Sequence, residues 1–330
     1  MKFRDSEKQR YEPLKPLLFS EAAQRHGIYR KLPRSFCIAD ECSSENLFKT
    51  IRAPAIQYFR QRRIPWHDGL IRRTMPSNHL CCSQSCCVNF LYPFVQNRAV
   101  AEEIFRQFYP DLSELLPMDQ DELLPNGTFP LTAFGWIGSL DFLGESKRKG
   151  SRRTRGAYAT SADFAFRFRR RDGKNQLVLG EWKYTEEYAG NDLGIAARKD
   201  NYINAFNRGL FADTTQELYD SLFFEPFYQL MRLQLLAQEM ESGDMGREMD
   251  CEVVTVLHIS PEANQEFRDR VTSPYLKGRY PNTGTLEIWK QLAPADKFFS
   301  ISVEVLLETI SNARMGNPVW KNYLATRYDW

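Results

Sequence analysis

Apolar and polar positions change their spacing along the chain near residue 130, and the elements they predict change with them. Residues 1–43 carry Pro13, Pro16 and Pro33 and keep no steady period, which predicts an irregular arm with one short helix around 20–26. Over 44–63, Leu47, Phe48, Ile51, Ile56 and Phe59 fit two short helices, the second beginning near Pro54. Residues 78–92 and 99–108 read as helices, and the small and apolar side chains of the first suit a buried position. Residues 111–128 read as loop.

Beyond that point the period shortens. Residues 133–142 predict a strand, and 161–170 and 176–184 predict two more, joined by Arg171-Asp172-Gly173 as a hairpin. Helices follow over 193–210 and 226–240, the latter with Phe227, Leu230, Met231, Leu233 and Leu235 on a wide apolar face. Residues 251–259 form an apolar, β-branched strand; 298–303 predict a last strand that feeds a helix to Ile310, and 319–327 a terminal helix. The order predicts an α/β fold with a central mixed sheet flanked by helices. A helical N-terminal extension over 1–75 precedes the main domain over 76–330.

Composition narrows the class. The chain has 330 residues, 42% of them hydrophobic, with 44 Lys and Arg against 42 Asp and Glu, which excludes collagen-like and disordered classes. Apolar runs such as 253–257 are far shorter than the ~20 residues a membrane helix needs. The charged start, Met1-Lys2-Phe3-Arg4-Asp5, has no apolar signal region, so a cytoplasmic location is expected, with the seven cysteines reduced. Charge changes the picture more. Residues 147–174 hold eleven Lys and Arg and two acids, a net of +9 in a chain whose total is +2. Such a block is the footprint of a phosphate-binding surface. Lys147, Arg148, Lys149, Arg152, Arg153 and Arg155 predict a loop that clamps nucleic acid.

The hairpin carries the candidate chemistry. Phe164, Phe166 and Phe168 alternate with Asp163, Ala165 and Arg167, and Val178 and Trp182 alternate with Leu179, Glu181 and Lys183. A two-residue loop would set Asp163 opposite Trp182, mixing acid with core. A three-residue loop with Gly173 left-handed pairs Arg170 with Lys174 and sets Asp163 directly across from Glu181. Two carboxylates whose Cα atoms are about 5 Å apart repel unless a cation lies between them. With Lys183 on the same face, this donor set suits Mg²⁺, which takes one or two carboxylates plus waters and phosphate oxygens.

At these residues the sequence resembles the PD-(D/E)XK nuclease superfamily, whose pattern is an acid on one hairpin strand and Glu-x-Lys on the next. Here that is Ser161-Ala162-Asp163, then Glu181-Trp182-Lys183. His79-Leu80, Ser83-Gln84 and Asn89 upstream, with Glu186 and Pro226-x-x-Gln229-x-x-Arg232 downstream, look like a bacterial restriction-endonuclease-like subgroup. Ala162 replaces the eponymous proline, and Gln84 stands in the helix where many members place an acid, which leaves the number of metal ions open. The resemblance implies a Mg²⁺-dependent nuclease, with Mn²⁺ able to substitute, acting on double-stranded DNA in restriction or anti-phage defence and leaving a 5′-phosphate and a 3′-hydroxyl. It implies that Asp163, Glu181 and the Trp182 carbonyl hold the metal and that Lys183 orients or helps deprotonate the attacking water. Glu186, Gln84, Gln229 and Arg232 become supporting residues behind that centre. A catalytically inactive DNA-binding protein of the same fold and an RNA nuclease are the alternatives, and a homodimer is left open.

Two clusters read more plainly. His79 with Cys81, Cys82, Cys86 and Cys87, joined by Cys37 and Cys42, invites a zinc or iron–sulfur reading. Zinc ligands favour spaced pairs on a turn, whereas these lie in a helical stretch, so buried small side chains are expected. Trp66-His67 and the tyrosines 184, 188 and 202 are expected at the core or its rim.

Overall fold

The hairpin at 161–184 is the centre of the sheet in the computed structural model, which describes residues 1–118, 123–124, 126–146, 153, 155 and 158–329. Strands β1 (Gly27–Tyr29) and β2 (Leu32–Arg34) pair separately as a short hairpin. Strands β3 (Leu112–Leu116), β4 (Thr132–Trp136), β5 (Ala162–Arg170), β6 (Asn175–Trp182), β7 (Val253–Ser260) and β8 (Phe298–Ser302) form a mixed sheet. Its order is β3-β5-β6-β7-β8, with β4 also pairing to β5. β5 and β6 are antiparallel, while β6, β7 and β8 run parallel.

The register is the one the three-residue loop requires. Phe164 pairs with Gly180 and Arg169 with Asn175, Arg170 N–H donates to Lys174 O at 2.8 Å, and Gly173 has φ 88°. Gly180 is needed for a steric reason, because a Cβ there would lie 2.3 Å from the Phe164 ring.

Helices α1 (Phe3–Leu18), α2 (Arg52–Gln61), α3 (Ser83–Leu91) and α4 (Arg98–Phe105) precede most of the sheet. Helices α5 (Ala196–Phe206), α6 (Phe227–Ser242), α7 (Thr285–Leu292), α8 (Val303–Asn312) and α9 (Pro318–Arg327) follow β6. Phe164, Phe166, Phe168, Val178 and Trp182 bury one sheet face against α1 to α4, α8 and α9. Ala165, Leu177, Leu179, Val254 and Val256 bury the other against α5, α6 and α7. The second face is apolar along its middle, with Asp163 and Glu181 at one end and Arg167 and Arg169 at the other.

Two elements differ from the sequence expectation. The irregular arm begins with α1, a 16-residue helix whose buried side is Phe3, Glu7, Tyr11 and Lys15. That stripe has helical spacing, but half of it is charged, so hydrophobicity alone does not reveal it. Pro13 and Pro16 sit on its exposed side, where a carbonyl left without a helix partner can reach water. The loop expected over 111–128 contains β3, whose register shifts between Leu112 and Glu114. That irregularity breaks the two-residue alternation on which the strand signal depends.

Candidate active site

The C-terminal end of β6 opens into a cleft of about 990 Å³, and Asp163, Glu181 and Lys183 all line it. Backbone pairing sets the position of each. Glu181 pairs with His258 on β7, and Lys183 N–H donates to Ile259 O at 2.8 Å one residue past the end of β6, so the strand geometry continues through the lysine. Two residues apart on such a backbone, Glu181 and Lys183 project to the same side. Their side chains meet, with Lys183 Nζ 2.5 Å from Glu181 Oε1. Asp163 enters from β5, and its Oδ2 accepts the Trp182 N–H at 2.8 Å. The indole of Trp182 turns the opposite way, buried 5.2 Å from the Phe90 ring, and so anchors the strand from behind.

Electrostatics at this point are those of two acids sharing one cation. Asp163 lines the cleft, exposed along its open side but surrounded by protein on the others. That enclosure and the nearby Glu181 charge push its pKa up to about 7, against the pull of Lys183. Burial disfavours charge on Lys183, yet the carboxylates of Glu181 and Asp163 outweigh it and hold the ammonium well above the usual lysine range. His258 is fully buried, stacked on Phe267, and burial pushes its pKa well below the ordinary value. It stands beside Glu181 in the sheet register but does not line the cleft.

Supporting residues sort themselves by what they touch. Gln229, from the first turn of α6, accepts a hydrogen bond from Lys183 Nζ at 2.6 Å through Oε1, and Tyr188 OH donates to the same oxygen at 3.5 Å. Glu186 is held by Ser83 Oγ–H and, at 2.6 Å, by the Tyr184 N–H, which fixes the chain just past β6. Arg232 lies one turn beyond Gln229 and lines the cleft, but its guanidinium donates to Glu145 Oε1 at 2.7 Å, away from the acids. Glu145 also accepts the hydroxyls of Tyr202 at 2.6 Å and Thr160 at 2.9 Å. Gln84 likewise lines the cleft while bonding the turn before α3, taking the His67 N–H at 2.6 Å and donating to Pro65 O at 3.3 Å. Gln229 is thus the one of the four that reaches the triad directly.

Of the basic loop residues, Lys147, Arg148, Lys149 and Arg152 lie outside the described residues. Arg153 donates to the carbonyls of Gly138, Ser139 and Leu140, and Arg155 to those of Gly135 and Arg63. These two guanidiniums tie the segment to the body of the protein.

A family described as Restriction Endonuclease associating with ARP matches residues 19–329. The chain belongs to that family. No curated protein and no solved structure matches it. For a member of a restriction endonuclease family, the cleft holds further residues that sequence reasoning passed over. Arg4, Lys8 and Arg30 bring positive charge to its wall from the N-terminal segment. Glu225, whose pKa is raised by burial, stands beside Gln229 with Oε2 unpartnered among the described residues. Nothing in local sequence marks these four, because they reach the cleft only through the packing of α1, of the β1–β2 hairpin and of the turn before α6.

Proposed function

We propose that the chain is a Mg²⁺-dependent nuclease that hydrolyses phosphodiester bonds of DNA, serving restriction or anti-phage defence. The observation that carries this reading is the convergence of Asp163, Glu181 and Lys183 at one end of the sheet, in a cleft to which Arg4, Lys8 and Arg30 also contribute. The donor set fits a hard divalent ion. Asp163 and Glu181 offer carboxylate oxygens that repel each other in its absence, which adds to the effect of enclosure in raising the Asp163 pKa. No third His, Cys, Asp or Glu joins them in a metal-binding group among the described residues. That leaves coordination positions for waters and phosphate oxygens, the usual arrangement for Mg²⁺. The Trp182 carbonyl, at the end of β6 between Glu181 and Lys183, is the further oxygen proposed for the metal. When bound, the ion would lower the pKa of a water and draw charge from the phosphate.

The protein's own side chains supply the rest. Lys183 keeps its proton beside Glu181, so it offers a fixed positive charge and N–H donors for the charge that builds on phosphate oxygens. Gln229 accepts one of those N–H groups and limits where the ammonium can swing. Ser83 and the Tyr184 N–H hold Glu186, keeping the backbone beyond Lys183 in place.

Incubation of purified protein with plasmid, single-stranded DNA and RNA, each with Mg²⁺, Mn²⁺ or EDTA, tests the proposal. Cleavage of DNA with either metal is expected, with none in EDTA and none from Asp163→Asn or Glu181→Gln. Both variants should still bind DNA. Cleavage by Glu181→Gln at the wild-type rate overturns the assignment, and cleavage confined to RNA replaces the substrate.

A further inference from the structure

The hairpin β1–β2 stands apart from the main sheet, and its tip is a strained turn. Arg30 and Lys31 form a two-residue loop with φ 50° and 68°. Such a loop favours Asn-Gly, because both positions need the left-handed region that side chains with a Cβ avoid. Strain of this kind persists where the surrounding structure enforces it, and it clusters at functional sites. Here the base of the hairpin enforces it. Asp40 Oδ1 accepts the Ile28 N–H at 2.8 Å and an Asn78 Nδ2 hydrogen at 2.7 Å. Asn78 also donates to Ile28 O at 3.2 Å. Gly27 packs so closely that a Cβ would lie 1.9 Å from Ile38 O. Tyr29 stands edge-on to His79 at 4.7 Å.

Above this pinned base everything is presented outward. Arg30, Lys31, Leu32 and Pro33 are exposed, and so is Ile28. Residues 27–34 contain Arg30, Lys31 and Arg34 and no acid. Neither Arg30 nor Lys31 forms an ion pair among the described residues, and Arg30 lines the same cleft as Asp163, Glu181 and Lys183. Cations at the tip of a hairpin held at its base, with exposed aliphatic flanks, are complementary to a groove of DNA, where acceptor atoms and thymine methyl groups alternate.

We propose that the β1–β2 hairpin enters the major groove of a DNA duplex lying across the cleft and reads its base edges, with Arg30 and Lys31 on guanine acceptors and Leu32 against thymine methyls. This rests on the nuclease reading above. Size selects the groove. A two-stranded ribbon fits a major groove about 12 Å wide and 8.5 Å deep, and the long Arg30 and Lys31 side chains extend the reach of its exposed tip toward the base edges. The minor groove, about 6 Å wide, excludes a ribbon. The deep, narrow major groove of duplex RNA excludes it as well.

Binding of a fluorescein-labelled DNA duplex and an RNA duplex of matching sequence is measured in EDTA by anisotropy, beside interference by methylation at guanine N7, which lies in the major groove. Arg30→Asn/Lys31→Gly installs the turn that the backbone prefers while removing both cations, so the hairpin itself should persist. This variant should lose about tenfold or more in DNA duplex affinity, the scale of a bidentate base contact. RNA duplex binding should stay within about twofold, since the A-form groove admits no ribbon. Guanine N7 methylation should weaken wild-type binding and leave the variant indifferent. Lys31→Gln, on the native turn, should show a smaller loss in the same direction. Unchanged DNA affinity in both variants, or a wild type indifferent to N7 methylation, overturns the hairpin's role. Neither result bears on cleavage, whereas a wild type that cuts no nucleic acid with Mg²⁺ overturns the nuclease reading alone.

Discussion

Replacing Lys183 with Met should destabilise the protein in EDTA, because it leaves Glu181 buried beside Asp163 with no cation between them. Both partners of the pair are 7% exposed. Breaking a pair so enclosed by removing one member costs about 3–5 kcal/mol, most of it the penalty of an uncompensated buried charge. At about 2.1 cal/mol/K of unfolding entropy per residue, 330 residues give roughly 0.7 kcal/mol/K, so the melting temperature should fall by roughly 4–7 °C. Glu181→Gln keeps an acceptor for the ammonium and leaves Asp163 nearby, so its cost should be smaller, about 1–3 kcal/mol. In the double variant Glu181→Gln/Lys183→Met neither charge remains, and the loss should fall well short of the summed single losses. Urea titrations of the four proteins measure this coupling. If the two single losses add to within about 0.5 kcal/mol, the side chains act independently and the geometry at the end of β6 has been misread.

Three further outcomes follow from the same structure. The folded-state pKa of Asp163 lies above its unfolded value, so the carboxyl holds its proton more tightly when folded, and stability falls as pH rises from the ordinary aspartate range to about 7. Asp163→Asn should therefore melt higher than wild type at pH 8 in EDTA and level with it near pH 4; an equal gap at both would refute the shift. Gly180→Ala places a methyl against the Phe164 ring and should cost about 1–3 kcal/mol by urea titration, while Phe164→Leu/Gly180→Ala should regain part of it. Gln229→Leu should lower kcat with little change in KM, since it frees one Lys183 N–H without touching the cleft's cationic wall; a change in KM alone would place Gln229 in substrate binding.

How far the sequence reveals this molecule depends on whether a signal is local. The β5–β6 register follows from a three-residue loop and an alternation that mixes no acid with the core, and Phe164 does face Gly180. Gln229 sits a fixed distance along an apolar-faced helix, so its direction is legible from the period of α6. Arg232 shares that face, yet its guanidinium bonds Glu145, a residue 87 positions away that no pattern links to it. Helix α1 escapes notice for a related reason. Its buried Glu7 finds Arg10 at 2.7 Å, and the buried Lys15 finds Cys37 O at 2.6 Å, so its inward stripe is half ionic. Charged stripes read as solvent faces unless the partners are known.

The strand that bears Glu181 and leads into Lys183 has neighbours on both sides, β5 antiparallel and β7 parallel. Its amides can meet solvent only if one of those neighbours leaves, an event close to unfolding of the whole sheet. Hydrogen exchange at Leu179 and Glu181 should then be among the slowest in the protein, while the amides of Arg30 and Lys31 exchange early. Heating would blur the outer hairpin first and leave the acid–lysine constellation intact until the domain itself gives way.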